Sequence, residues 1–568
     1  MRIINSFKDA APSKVITDLR HLVQSSAEVF GDKVLYYYFE NDEKKEFTYN
    51  DLWENMNCLG TAFAELGLMG KHIAVIGETH PSWIVTYLAA VNGNSVIVPL
   101  DKELLEDQIV GFLNLAEVEA IVYTESFNNK LIKLADKVPK IKYFIPIHSD
   151  GENLNSPLLR SFDSLIEMGK RALDAGNRTY VDHVIDMDAM CAILFTSGTT
   201  GTSKGVMLSQ KNLTAATNSS CQSMSYDSRN TFVSFLPPHH SYEMTCEQLG
   251  GINIGGSMLI NDSLKHTMRN ITSFKPNTLV LVPLFVETMY KKIWDEIKKR
   301  NMTKKVKMAM KISNALLWLG IDKRKDFFAP IIDSLGGNLK SIVCGGAPLN
   351  PQLVKDFYAF GITIFEGYGI TECAPLVAVN PAGKIRLRSV GKPVVGCDVK
   401  IDYDEGQTTG EILVKGENIM MGYYKNEEAT KAVFTEDGYF RTGDIGYMDK
   451  DNYIYITGRK KNVIILSNGK NVFPEEIEEY LANIPQVLES VVLGRKNNKD
   501  EIVITAIVVP DMEQFTDQSP DNIYSTIKDA ITRINKNLPV FKQIKDIEIR
   551  YEPFEKNTSR KIKRYLIK

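Results

Sequence analysis

The feature that most limits how this chain can fold is an alternation. Between Lys71 and Glu372, short β-branched apolar runs take turns with amphipathic stretches. The runs Ile73–Gly77, Ser95–Leu100, Ala120–Tyr123, Ala192–Thr196, Thr231–Leu236, Thr278–Val282 and Ser341–Cys344 are bounded by Gly, Pro or polar residues. Their length and branching predict buried strands. Between them, the segment opening at Pro81 places Trp83, Ile84, Tyr87, Leu88 and Val91 at helical three- and four-residue spacing. Strand and helix in alternation predict an α/β architecture, with helices covering mostly parallel sheets.

Past Val390 the pattern changes. Ser389–Ile456 is rich in Gly, Thr and Asp, with short strands such as Val399–Ile401 and Glu411–Val414, and predicts a small β-rich subdomain. A new unit opens near Lys461. There Pro474-Glu475-Glu476 starts a helix, since Pro suits the first turn and acids suit the positive end of the helix dipole. Strands over Glu489–Leu493 and Ile502–Val509 and a helix over Ile523–Leu538 complete an expected small α+β domain. The predicted organisation is a large N-terminal domain over residues 1–460, β-rich subdomain included, and a small mobile C-terminal domain over 461–568.

Composition narrows the function. With 67 basic and 70 acidic residues and a formal net charge of -3, no global basic field points to nucleic acid. The seven cysteines form no C-x-x-C pair and read as reduced thiols. Met1–Pro12 lacks the pattern of a signal peptide, and no window holds 18 uninterrupted apolar residues. The expected location is the cytoplasm.

The strongest chemical signal is Phe195-Thr-Ser-Gly-Thr-Thr-Gly-Thr-Ser-Lys-Gly205, directly after a predicted strand. Thr196, Ser197, Thr199 and Thr200 offer hydroxyls, Gly198 and Gly201 let backbone N–H groups approach an anion, and Lys204 adds positive charge. That combination suits a triphosphate or pyrophosphate. It is not a Walker loop, because Gly201 precedes Lys204 by three residues and Gly205 follows it.

With this segment the sequence resembles the adenylate-forming superfamily of acyl-CoA synthetases, luciferases and peptide-synthetase adenylation domains, and within it bacterial long-chain fatty-acid–CoA ligases. Further segments follow in the family's order. Gly345-Gly346-Ala347-Pro348-Leu349 resembles the segment that lies against adenine. Gly367-Tyr368-Gly369-Ile370-Thr371-Glu372 resembles the adenylate motif, which implies Tyr368 stacked on adenine, Thr371 at the α-phosphate and Glu372 on Mg2+. Tyr439–Asp444 resembles the ribose motif, and Arg459 of Gly458-Arg-Lys-Lys461 is implied at the ribose beside Asp444. Thr558-Ser-Arg-Lys-Ile-Lys-Arg564 resembles the segment of the catalytic lysine, which points to Lys561. Two positions depart from the family pattern: Arg560 stands where Gly is usual before that lysine, leaving Lys563 as the alternative, and Asn462 stands where an acid usually follows the basic run.

The resemblance implies an AMP-forming acid–thiol ligase that uses ATP, Mg2+ and coenzyme A, with acyl-carrier-protein or aryl-acid ligation, or non-catalytic acyl or nucleotide binding, as the alternatives. Leu236-Pro-Pro-His-His-Ser-Tyr-Glu243 resembles the acid-pocket segment, with His240 beside the carboxylate and Tyr242 along the wall. Gly250-Gly251 and Gly255-Gly256 leave two readings open, room for an alkyl chain or close helix–sheet packing. Phe274–Trp294 and the helical excursion from Lys291 to Leu335 look most like long-chain enzymes. In the Ser467-Asn468-Gly469 loop, Gly469 is implied beside pantetheine, and Lys461 as the pivot of the small domain. A carrier domain after Lys568 is not expected, and with it a peptide-synthetase module acting in cis is not expected either. Lys291–Lys325 holds twelve Lys or Arg against three acids with apolar residues interleaved, as a solvated helix face or a peripheral contact on the inner membrane surface would.

Overall fold

The alternating apolar runs assemble into sheets whose strand ends converge on one region. The structure is a computed structural model and describes residues 13–147, 158–196, 203–403, 405–466, 471–497, 501–556 and 562–567. A seven-stranded sheet runs in the order Gly422–Tyr423, Lys204–Ser209, Met190–Thr196, Val96–Leu100, His72–Ile76, Ala120–Thr124 and Tyr143–Ile147. Its middle is parallel, with Ala74 opposite Val98 and Ile73 opposite Ala120. Helix Pro81–Asn92 supplies the apolar cover that a parallel sheet needs on its face, and Tyr49–Glu65 packs against that helix. The strand Lys204–Ser209 runs antiparallel to Met190–Thr196, so the hydroxyl-rich segment joins the two arms of a hairpin.

A second sheet has the order Thr278–Leu281, Ser341–Cys344, Thr363–Gly369, Leu376–Val379 and Lys392–Pro393, and its first three strands are parallel. A third sheet joins Val34–Glu40 and Glu43–Thr48 to Thr231–Ser234 and Ser257–Ile260. The β-rich region is an antiparallel sheet of Cys397–Tyr403, Gly410–Gly416, Phe440–Met448 and Ile454–Arg459.

The C-terminal domain pairs Val487–Lys496 with Ile502–Pro510 and Asp546–Ile549, and covers them with helices Pro474–Leu481 and Pro520–Asn535. Its core of Ile477, Leu481, Val492, Ile504, Val508 and Ile527 is a cluster of its own. Polar contacts cross to the large domain: Lys291 to Glu513 at 3.0 Å and Asp511 at 3.5 Å, Arg388 to Glu479 at 3.2 Å, and Asn350 to Asn483 at 2.6 Å.

The helical excursion is three helices, Pro283–Lys299, Thr303–Trp318 and Arg324–Ser334. The first buries Val286, Met289, Ile293 and Ile297, whereas the second buries only Ser313 and Leu317. Among the described residues no helix is long and apolar enough to cross a membrane.

Candidate active site

The strand Thr363–Gly369 delivers Tyr368 and Gly369, and the single turn Thr371–Cys373 follows it. Gly369 is required by close approach, because a Cβ there would lie 2.3 Å from the carbonyl oxygen of Pro375. The strand Phe440–Met448 delivers Asp444, whose register partner across the β-rich sheet is Arg459. The three polar groups meet. Tyr368 Oη donates to Asp444 Oδ2 at 2.6 Å, and Arg459 Nε donates to Asp444 Oδ1 at 2.8 Å. Asp444 is buried, and a buried carboxylate is tolerable when both oxygens accept charge-assisted or phenolic donors. Burial, then the Asp444 charge, pushes the Tyr368 phenol far up, so it stays a donor.

A second group forms around a residue that no sequence motif marks. The Lys204 ammonium lies 4.4 Å from the centre of the Tyr423 ring, and Tyr423 Oη donates to Glu372 Oε1 at 2.9 Å. Tyr423 enters through a two-residue strand paired with Lys204–Ser209. Burial and the Glu372 charge raise its phenol pKa and keep it protonated. Lys204, Tyr423 and Glu372 thus form a cation–ring–carboxylate chain, with Thr371 half-buried beside it. Thr196 Oγ1 donates to the Lys204 carbonyl at 3.4 Å, across the base of the hairpin. The predicted Ser197, Gly198, Thr199, Thr200, Gly201, Gly469 and Lys561 lie outside the described residues. The nearest described frame of Lys561 is the bridge between Lys556 and Ile562.

Gly345 and Gly346 end the strand Ser341–Cys344, and Gly346 takes φ +87°, a left-handed turn open to glycine at little cost. Both line a cavity together with Tyr368 and Gly369, while Ala347 turns outward to solvent. The rest of the lining is largely apolar and includes Met224, Phe232, Leu376 and Ile254, with Gly250 and Gly251. The two glycine pairs differ: a Cβ on Gly255 would lie 2.1 Å from the Phe30 ring and one on Gly256 2.9 Å from Phe232, so that pair serves close packing. A Cβ on Gly250 would meet only ordinary contacts at 3.5 Å or more, so space is open there, while one on Gly251 would press on the flexible end of Met258 at 3.0 Å.

Past His240 the sequence reading placed Tyr242 along the wall of the acid pocket without assigning its backbone form. The structure has a π-helix over Tyr242–Leu249, an element common at functional sites. It brings Tyr242 and Cys246 to the cavity wall. Tyr242 Oη donates to the Val343 carbonyl at 3.2 Å, beside Gly345. His240 stands at the head of this helix, not among the lining residues, and its ring lies 4.1 Å from that of His239. His239 Nε2 faces Asp101 Oδ2 at 3.6 Å, and burial pushes its imidazole down to about 3, so it is neutral.

A family model described as AMP-binding enzyme matches residues 23–424, and one described as AMP-binding enzyme C-terminal domain matches residues 461–568. The chain is 27% identical over 575 residues to the chloroplastic long-chain-fatty-acid–[acyl-carrier-protein] ligase AEE15 of Arabidopsis thaliana, covering 89% of this chain and 78% of that one. It is 28% identical over 492 residues to the long-chain-fatty-acid–CoA ligase FadD15 of Mycobacterium bovis, covering 82% and 78%. Among solved structures, the anthranilate CoA ligase AuaEII in complex with anthranoyl-AMP matches with a TM-score of 0.77 at 20% identity, over 99% of this chain and 98% of that one.

Proposed function

Because the chain belongs to the AMP-binding enzyme family, we propose that it activates a long-chain carboxylic acid with ATP and transfers the acyl group to coenzyme A. One observation carries this reading: the pocket that holds Tyr368, beside Asp444 and Arg459, continues without a break into an apolar cavity. A nucleotide end and an alkyl end joined at Gly345 suit an acyl-adenylate.

A carboxylate is a poor acyl donor because its leaving group is an oxide. In the first step a carboxylate oxygen attacks the α-phosphorus, the bond to the bridging oxygen breaks, and pyrophosphate leaves. In the second, a thiolate attacks the acyl carbonyl and AMP leaves. The protein's work is positioning and neutralisation of charge. Tyr368 holds the base, Asp444 and Arg459 hold the ribose, and Lys204 meets the β- and γ-phosphates. Lys561 supplies the second cation as pyrophosphate departs, and Gly469 gives the pantetheine arm a path. The hard carboxylate oxygens of Glu372, one already anchored by Tyr423, suit Mg2+. That ion would neutralise the phosphates.

Acid-dependent exchange of labelled pyrophosphate into ATP tests the first step. AMP release from a panel of acids tests the substrate. Faster turnover of an aryl acid than of a fatty acid of about sixteen carbons overturns the long-chain reading. The similarity to AEE15 supports a second acceptor, a carrier protein. Comparing thioester formed on coenzyme A and on a holo-carrier protein decides between them.

A peripheral membrane contact is part of this reading. Trp318 is 74% exposed, Leu319 63% and Met308 61%, amid the lysines of Thr303–Trp318. Apolar side chains ringed by cations suit an anionic bilayer surface. Co-sedimentation with anionic but not neutral vesicles, lost on Trp318→Glu, is the expected result.

A further inference from the structure

The π-helix that walls the cavity also carries two carboxyls with no solvent. Glu243 and Glu247 are fully buried, and neither forms an ion pair among the described residues. Glu243 Oε1 is well served: Ser234 Oγ donates to it at 2.6 Å and Gln248 Nε2 at 2.8 Å. Gln248 in turn accepts from Tyr36 Oη at 2.8 Å. The other three oxygens, Glu243 Oε2 and both of Glu247, have no donor from the rest of the protein.

Two ionised carboxylates in this position would be prohibitive, since each lacks water and each repels the other. A proton between them removes the repulsion and turns two of the orphaned oxygens into donor and acceptor. The groups belong to one another as a pair: burial raises both pKa values, the charge of Glu243 raises that of Glu247 further, and the hydrogen bond from Glu247 draws that of Glu243 back down. The titratable groups around them are Tyr36, Tyr226, Tyr242 and Cys246, each held neutral by burial.

The spacing explains what such a pair does here. Glu243 and Glu247 are four apart, and so are Tyr242 and Cys246, which they immediately follow. On a wide helix, residues four apart lie on adjacent turns. The carboxyl pair therefore closes the turn whose other side presents Tyr242 and Cys246 to the cavity.

The geometry points to Glu243 and Glu247 as a proton-sharing pair of positioning residues that fixes the acyl cavity's wall and so its preference for chain length. This rests on the reading of the cavity as the acyl site. Glu247→Leu removes the proton-sharing partner and leaves Glu243 Oε2 alone. It should raise KM for an acid of about sixteen carbons by about tenfold, leave KM for ATP within about twofold, and flatten the chain-length profile. Glu247→Gln supplies a permanent N–H donor and should restore the wild-type profile. Across rising pH the wild type should lose affinity for the long acid as the shared proton leaves, and Glu247→Gln should not.

All are measured by pyrophosphate exchange on the full chain, with Gly250→Leu, which fills the cavity, as control. If Gly250→Leu shifts chain preference and neither Glu247 variant does, the pair has no such role. If Gly250→Leu changes nothing, the cavity is not the acyl site and the proposal falls with that reading. Should Glu247→Leu fail to fold, identical pH profiles for wild type and Glu247→Gln still overturn it.

Discussion

The interior of the large domain and the seam between the two domains are built by opposite means. The interior is a continuous apolar cluster running from Leu22 and Trp83 through Leu194 and Phe365 to Val414. The seam is ion pairs and an amide contact between residues that keep much of their surface in water. Lys291 and Glu513 are 46% and 76% exposed at the side chain, and Arg388 is 60% exposed. Exposed pairs of this kind contribute about 0–1 kcal/mol each. Burial of a large aliphatic side chain contributes about 1.5–3. On this comparison we propose that the large domain is a fixed half-site and that the small domain, with a core of its own, can leave and return.

The largest effect expected from breaking this comparison is at the fixed half. Asp444→Ala leaves Tyr368 Oη without its acceptor and Arg459 without its carboxylate. Removing one partner of a buried charged pair costs about 3 kcal/mol. Pyrophosphate exchange should fall by about a hundredfold or more, with a lowered Tm, and Asp444→Asn should recover stability better than activity. A variant with normal exchange would mean that these three residues do not hold the nucleotide.

How much of this was legible beforehand differs in the same way between the two regions. The strands of the parallel sheets were readable because Ile73–Gly77 or Ala120–Tyr123 carry their own burial in their branching. Tyr368, Asp444 and Arg459 were readable because each sits in a motif, although only the fold brings them together. Tyr423 was not readable: its link to Lys204 and Glu372 depends on a two-residue strand added to a sheet edge. The π-helix was hidden for a different reason. Glu243 and Glu247 break the apolar pattern that marks a buried helix, and a carboxyl pair that survives burial by sharing a proton looks in sequence like a solvent face. The seam was equally opaque, since its lysines and glutamates resemble any other surface charge.

Lys461 stands in the single turn Lys460–Asn462 that joins the two regions, and it sharpens the comparison next. Hinges absorb motion in a few backbone dihedrals. Lys461→Pro fixes φ and removes a donor, so thioester formation from pre-made acyl-adenylate should slow by about tenfold relative to adenylation. Lys461→Ala should be mild, because burial and the nearby Arg459 already push the ammonium down to about 8. Equal behaviour of the two variants would remove the hinge from this residue.

A smaller effect follows from Glu366 on the strand Thr363–Gly369. Burial, then the charge of Glu479 on the small domain, pushes its carboxyl up to about 8. A carboxyl raised in the folded state binds more protons there than in the unfolded chain. Stability is therefore full below the ordinary carboxylate value of about 4.5 and declines as pH rises from there towards 8. Glu366→Gln should flatten the dependence of Tm on pH in that window. Glu479→Gln should flatten it partly, because it removes only the contribution from across the seam. If Glu479→Gln leaves the pH profile unchanged, the two domains do not sense each other through this pair.

The smallest change in stability is expected at Lys291, and that is its use. Its ammonium bridges Asp511 and Glu513 from a helix whose buried face carries Val286, Met289 and Ile293. The acids raise its pKa, Glu513 foremost, so the charge is present throughout the neutral range. Lys291→Ala should lower Tm by an amount near the error of the measurement, since the pair is exposed and worth about 0.5 kcal/mol. Yet half a kilocalorie is a factor of about two in an equilibrium between two domain poses. The ratio of adenylation to thioester formation should therefore move by about twofold while the melting curve stays in place, and high salt should produce the same shift in the wild type by screening. A Tm drop of several degrees would show that Lys291 belongs to the interior's kind of contact instead of the seam's. No change in either quantity would show that these ion pairs do not hold the pose at all.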